Sequence, residues 1–191
     1  MKDIKIKSEL FDKIRTILKE SPLKEDVIHA ELVLKWVLQL KNDANEALQI
    51  AAFSHDIDRA ISKITESELK NSLEGYARYK EEHATRSAKY IAEILREYKY
   101  PPETIKKISE LVKNHEVGGD KESDILKDAD SLAYFEYNIP SYVERNGEEK
   151  TKRKIQFMYK RASSKTKKII EAMDYQNKAL RDLVKKAVSE L

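Results

Sequence analysis

Apolar residues recur at intervals of three and four along almost the whole chain, which is the period of an amphipathic helix. The alternation of apolar and polar residues at positions 4–7 is too short to indicate a strand. The pattern predicts helices over residues of about 8–20, 22–41, 43–56, 76–98, 101–115, 123–137 and, in one or two segments, 148–191. We therefore expect an all-α fold.

Residues that favour helix ends stand between these segments. Ser21 precedes a proline, an arrangement typical of an N-cap followed by proline at the first helical position. Asn42 or Asp43 is expected to cap the next helix, and Pro140 and Gly147 predict a loop before the last segment. Gly and Pro number only four each, so we expect long helices joined by short connections.

The composition excludes several classes of protein. There is no cysteine, so disulfides and thiolate metal sites are excluded, and any metal must bind histidine and carboxylate. The net charge of +3 is too small to indicate nucleic-acid binding. The N-terminus begins charged, and no apolar run approaches the length of a bilayer span. We expect a cytoplasmic protein that does not associate with membranes.

The C-terminal quarter is basic, with nine lysines and arginines over residues 150–168. We favour a solvated helix face, with Ile155 and Phe157 turned inward. The alternative is an electropositive wall beside an anionic substrate. Apolar residues from Ile169 to Val188 also follow the helical period, which predicts packing within the chain and leaves a homodimer open.

The chain has four histidines, and each falls on the apolar face of a predicted helix. An imidazole or carboxylate buried without a partner costs several kcal/mol. A single histidine in such a place is usually a core residue with a hydrogen-bond partner. Four of four, together with two aspartates, are most simply explained by bound cations. The candidate metal ligands are His29, His55, Asp56, His83, His115 and Asp130.

The donor set favours particular ions. Imidazole and carboxylate ligands suit Mn, Fe, Co, Ni or Zn, and Mg is less favoured by so many nitrogen donors. We expect divalent transition metal ions.

The order of these residues resembles the HD-domain superfamily of metal-dependent phosphohydrolases. The H…HD…H…H…D series is accompanied by two similar local strings, AAFSHDI at 51–57 and LKDADSL at 126–132. The resemblance covers residues of about 22–138. It implies an HD-domain-like compact helical bundle over 1–146, to which the basic C-terminal helices, 147–191, are added. Those helices would pack on the domain or extend it.

In that family, the residues matching His29, His55, Asp56 and Asp130 hold one metal. The binuclear subclass adds a second metal at the residues matching His83 and His115, bridged by the aspartate. The resemblance therefore implies two metal ions per chain. It also implies hydrolysis of a small phosphorylated substrate, a nucleotide or a related phosphate ester or anhydride, by a metal-activated water.

Within this interpretation, Asp56 and Arg59 are the expected catalytic residues. Arg59 would contact the phosphate, and the alternative is a surface ion pair with Asp58. Asp58, Lys113 and Glu116 are candidates for a general acid, and none is preferred. The weakly periodic stretch 57–82 is expected either to form a lid or binding loop or to be a short solvated helix.

Two other functions stay open from the sequence. Some HD-type proteins with the same order of six ligands are diiron oxygenases, which the ligand order does not separate from hydrolases. A non-catalytic sensor that binds a nucleotide or a metal is the second. The intact ligand set argues against the sensor.

Overall fold

The structure, a computed structural model, describes residues 4–66 and 73–191, and it confirms the all-α fold: no strand occurs within these ranges. A π-helical turn, Tyr134–Asn138, joins the seventh and eighth helices. The α-helices are α1 Ser8–Leu18, α2 Asp26–Leu40, α3 Glu46–Ser54, α4 Ile57–Ser62, α5 Leu73–Glu97, α6 Pro102–Asn114, α7 Lys121–Ala133, α8 Ile139–Arg161, α9 Ser164–Glu171 and α10 Lys178–Ser189.

Two of the predicted helix starts are wrong. Helix α2 begins at Asp26 rather than after Ser21, because the Ser21 hydroxyl donates a hydrogen bond to the Asp26 carboxylate, 2.5 Å away, instead of capping a helix. Helix α3 is capped by Asn45 and not by Asn42 or Asp43. The Asn45 side chain accepts from a backbone N–H three residues on, which satisfies one of the free donors of the first turn.

The prediction of a loop at Pro140 and Gly147 is partly correct: Pro140 lies in a helical segment, whereas the helix is interrupted at Gly147. Pro140 lies in the first turn of α8, where its missing N–H leaves no hydrogen bond unmade. Gly147 bends the helix through a left-handed backbone conformation, with φ of 76°.

The segment after Asp56 is more helical than its periodicity suggested. It forms α4, and α5 starts at Leu73, ahead of the predicted Tyr76. Lys70, in the predicted lid, lies outside the described residues.

Two groups of apolar side chains hold the helices together. The first lies among α1 to α7, with α2 packed against α3 and α7, and α5 against α6. The second joins the π-helical turn to α8, α9 and α10. Trp36 and Leu40 on α2 pack against both groups, so burial of apolar surface ties the C-terminal helices to the rest of the fold. Within the described residues, no helix is both long and apolar enough to cross a membrane.

Candidate metal centre

The fold brings all six predicted ligands to one buried place. His29 lies on α2, His83 on α5 and Asp130 on α7. His55 and Asp56 form the junction of α3 and α4, and His115 directly follows α6. Each of the six is at most 7% exposed. Such dense burial of polar groups requires partners for every one of them.

The six residues form two clusters, in each of which one potential ligand atom per residue lies within 4.8 Å of the others. The first cluster is His29, His55 and Asp130. The second is Asp56, His83 and His115.

Asp56 lies between the clusters and turns one oxygen to each. Its Oδ2 is 3.2 Å from Nε2 of His55 and 3.5 Å from Nε2 of His29. Its Oδ1 is 2.8 Å from Nε2 of His83 and 4.0 Å from Nε2 of His115. A carboxylate in this position can contribute one ligand atom to each of two neighbouring ions.

All four histidines use Nδ1 in a contact outside the clusters. Nδ1 of His29 lies 2.9 Å from the Asn138 side-chain oxygen, and Nδ1 of His83 lies 3.0 Å from Asp58. His55 and His115 each contact the backbone carbonyl three residues earlier, at 2.9 and 2.7 Å. Each acceptor places the proton on Nδ1 and leaves Nε2 available as a metal ligand, which is the usual support of a metal-binding histidine.

The arrangement fits bound metal ions. Nε2 of His55 is fully buried, and no partner within the described residues has hydrogen-bond geometry to it. Four imidazole nitrogens and two carboxylates are a donor set for borderline transition metal ions. The six residues could therefore hold metal ions.

The charges of the clusters are strongly coupled. Burial disfavours the charged form of His55, but Asp56 and Asp130 outweigh it and raise its pKa to about 9. Burial likewise opposes ionisation of Asp56, yet Arg59 and His55 hold its pKa well below the usual range. For His115 burial prevails and lowers the pKa. The two aspartates are thus kept ionised, the form in which carboxylates bind metals.

Arg59 contacts the candidate metal ligand Asp56 and does not form the ion pair with Asp58 that was the alternative from the sequence. Its guanidinium contacts Asp26, at 2.8 and 3.1 Å, and also Asp56. Asp58 instead accepts from Arg86, at 2.8 and 2.9 Å, and contacts His83. Arg59 therefore lies beside the candidate metal ligand Asp56.

The candidate general acids differ in their surroundings. Burial opposes ionisation of Asp58, but His83 and Arg86 lower its pKa. Burial also opposes ionisation of Glu116, but Lys80 and Arg161 hold its pKa well below the usual range. Lys113 is exposed on α6. The first two side chains are therefore ionised and serve as acceptors in this arrangement.

A cleft opens beside the clusters. Arg59, Tyr79 and Lys80 of the predicted lid line it. So does Lys154, while Arg161 contacts Asp130 and Glu116 at its wall. The basic stretch 150–168 thus contributes two cations to the site, and others, such as Lys160, are exposed.

Two supporting residues, Asp26 and Asn138, were not predicted from the sequence. Asp26 lies three residues before His29 and is 1% exposed. A charged residue on the apolar face of a helix was a signal that could have identified it. Asn138 left no such signal, because its position depends on the π-helical turn.

Comparison with known proteins places this geometry in a known fold. A crystal structure at 1.45 Å resolution of a predicted HD superfamily hydrolase, from an uncultured Thermotogales bacterium, matches the chain with a TM-score of 0.57. The sequences are 18% identical, and the match covers 95% of this chain and 91% of that one. The chain therefore has an HD-domain-like, all-α fold.

The sequence itself gives the family. The profile of DUF4202, a domain of unknown function, matches residues 9–184, and the chain belongs to this family. No curated protein matches the sequence.

Proposed function

We propose that the protein is a metal-dependent phosphohydrolase of the HD type, acting through two metal ions on a nucleotide or a related phosphate ester or anhydride. The observation that carries the proposal is the position of Asp56, whose two oxygens face two different sets of histidines. If Asp56 only formed an ion pair with one histidine, the burial of four further candidate ligands around it would have no explanation.

The residues divide naturally between two ions. His29, His55 and Asp130, with Oδ2 of Asp56, would hold one ion. Oδ1 of Asp56, His83 and His115 would hold the other. Divalent ions in such a pair make water more acidic and neutralise phosphoryl charge.

The charge of the cleft suits an anionic substrate once metal is bound. Six carboxylates line the described part of the cleft against four cations, to which Arg161 adds a fifth. The net charge of these groups is −1, and two divalent ions would change it to +3. An electropositive cleft concentrates phosphate-bearing molecules and stabilises the charge that develops during their hydrolysis.

In the proposed reaction, the oxygen of water forms a bond to phosphorus, the bond to the leaving oxygen breaks, and that oxygen takes up a proton. Arg59 is placed to bind a phosphoryl oxygen, because its guanidinium lies against Asp56 and lines the cleft. Asp26 orients Arg59 through two hydrogen bonds.

The test is hydrolysis of a phosphate-ester panel by the full chain after loading with Mn²⁺ or Fe²⁺. The panel would contain nucleoside mono- and diphosphates, dinucleoside polyphosphates and a chromogenic aryl phosphate. We expect release of phosphate or nucleotide that stops with a chelator, is lost in Asp56→Ala and persists in Asp43→Ala, an exposed aspartate. Two bound ions with no turnover of any substrate would contradict the proposal. So would a mixed-valent iron signal with oxygen-dependent turnover, which would instead identify an oxygenase.

A further inference from the structure

Three cationic side chains lie beside the two clusters of candidate ligands and contact the same pair of aromatic rings. Nζ of Lys80 lies 4.4 Å from the ring centre of Phe157 and 5.5 Å from that of Tyr76. Nζ of Lys154 is 5.4 Å from the Tyr76 ring, and Cζ of Arg161 is 5.5 Å from the Phe157 ring. We call Lys80, Lys154 and Arg161 the cation triad.

The cation triad is largely shielded from solvent. The side chains of Lys80, Lys154 and Arg161 are 11%, 14% and 8% exposed. Like charges held together away from water are costly unless anions compensate them. Burial, together with the other two cations, lowers the pKa of Lys80 to about 8 although Glu116 opposes the shift.

Apart from the proposed metal ligand Asp130, the described residues supply two carboxylates to the three cations of the triad. Glu66 pairs with Lys154, at 3.1 Å. Glu116 is shared, since Lys80 and Arg161 both contact its Oε2. The further partner of Arg161 is Asp130, a proposed metal ligand. Elsewhere in the cleft, by contrast, Arg145 has Glu25 as its own partner.

A buried hydroxyl group belongs to the same cleft. Tyr134 is 4% exposed and lines the same cleft as Lys80 and Lys154. Its hydroxyl is buried and has no hydrogen-bond partner within the described residues. A buried hydroxyl without a partner is costly, and an anionic oxygen bound here would accept its proton in a hydrogen bond.

The triad borders the metal centre directly. The guanidinium of Arg161 contacts Asp130 on one side and Glu116, at 2.6 Å, on the other. Glu116 in turn lies 3.6 Å from Nε2 of His115. A group bound by the triad would therefore be next to a phosphoryl group at the metals rather than a long linker away.

Building on the proposed phosphohydrolase function, we propose that the cation triad and Tyr134 bind a second phosphoryl group, directly linked to the one that is cleaved. The substrate class is then a diphosphate, whose one phosphoryl group meets the metal centre while the other meets Lys80, Lys154 and Arg161. Monophosphate esters would use only half of the site.

The test compares two non-hydrolysable probes, methylenediphosphonate and methylphosphonate, by calorimetric titration of the Mn²⁺-loaded full chain. The variant is Glu66→Gln/Lys154→Met, which removes the ion pair as a unit and leaves no buried carboxylate unpaired. The matched control is Lys160→Met, at an exposed lysine on the same helix. Chelation of Mn²⁺ by the diphosphonate would affect this control and the double variant equally. Circular dichroism melting verifies that each variant is folded.

We expect the wild type and Lys160→Met to bind the diphosphonate at least about tenfold more tightly than methylphosphonate, since charge-assisted hydrogen bonds are among the strong ones. The double variant should lose most of that preference and bind methylphosphonate within about twofold of wild type. Equal binding of the two probes by wild type would overturn the subsite and leave the phosphohydrolase proposal standing. So would an undiminished preference in the double variant. Binding of neither probe would overturn both proposals.

Discussion

Nδ1 of His29 lies 2.9 Å from the side-chain oxygen of Asn138, a residue 109 positions further along the chain. This contact joins α2 to the π-helical turn and determines which nitrogen of His29 faces the other candidate metal ligands. Single-turn π-helical segments within α-helices are frequent at functional sites. Here the π-helical turn also carries Tyr134, which lines the cleft.

Replacing Asn138 should therefore weaken metal binding. We expect Asn138→Ala to lower the affinity for one of two ions by about 10- to 100-fold, because His29 loses the acceptor that orients its ring. Asn138→Asp, which keeps an acceptor oxygen, should retain most of the affinity. Metal titration followed by calorimetry measures the effect. Unchanged affinity in Asn138→Ala would show that the contact does not support the ligand.

His83 differs from the other three histidines because its Nδ1 faces a carboxylate. Asp58 is fully buried and is held by Arg86 as well. Asp58→Asn should weaken the ion at His83 by about tenfold or more, since the amide is a poorer acceptor for an imidazole N–H. Glu82→Gln, which alters another partner of Arg86, is the control and should bind both ions as wild type does. Equal losses of metal affinity in the two variants would mean that Asp58 acts through Arg86 rather than through His83.

Much of the site could be predicted from the sequence, because the ligands themselves are a pattern. All four histidines share helix faces with apolar residues, and the fold turns those faces to one place. The supporting contacts could not be predicted in the same way. The acceptor for His29 depends on the packing of two segments that are distant in the sequence. Asn42 and Asn45 can both cap a helix, and the sequence does not show that Asn45 is the cap of α3.

Arg59 is expected to act on substrate and not on metal. Arg59→Met should lower kcat/KM for phosphate-ester hydrolysis by about 100-fold or more, since it removes a charged contact to the phosphoryl group. Metal content should stay within error of wild type. Asp26→Asn should give a smaller loss, because it loosens the guanidinium without removing it. If Arg59→Met lost metal together with activity, Arg59 would be needed to hold Asp56 in place.

Glu66 should make the stability of the protein depend on pH. Burial opposes its ionisation, but Lys154 lowers its pKa to about 2 from an ordinary 4.5. The ionised form is thus favoured in the folded protein by about 3 kcal/mol. This contribution is fully present above pH 4.5 and is lost as the pH falls toward 2.

Urea unfolding of wild type and Glu66→Gln between pH 7 and pH 3 tests this dependence. The variant should be less stable at pH 7, and the difference in free energy of unfolding should shrink below pH 4.5. Glu93→Gln, an exposed glutamate on α5, should follow wild type throughout. A constant difference between Glu66→Gln and wild type across the range would mean that the carboxylate charge is not responsible.

The position of Asp56 between two histidine sets is most directly tested by the number of metal ions per chain. Elemental analysis of protein purified without chelator or metal-affinity tag, and then saturated with Mn²⁺ or Fe²⁺, gives that number. Two ions per chain, falling to about one in His115→Ala, is the predicted result. One ion in wild type would leave His83 and His115 without a metal, and no ion at all would show that the six buried residues do not form a metal centre.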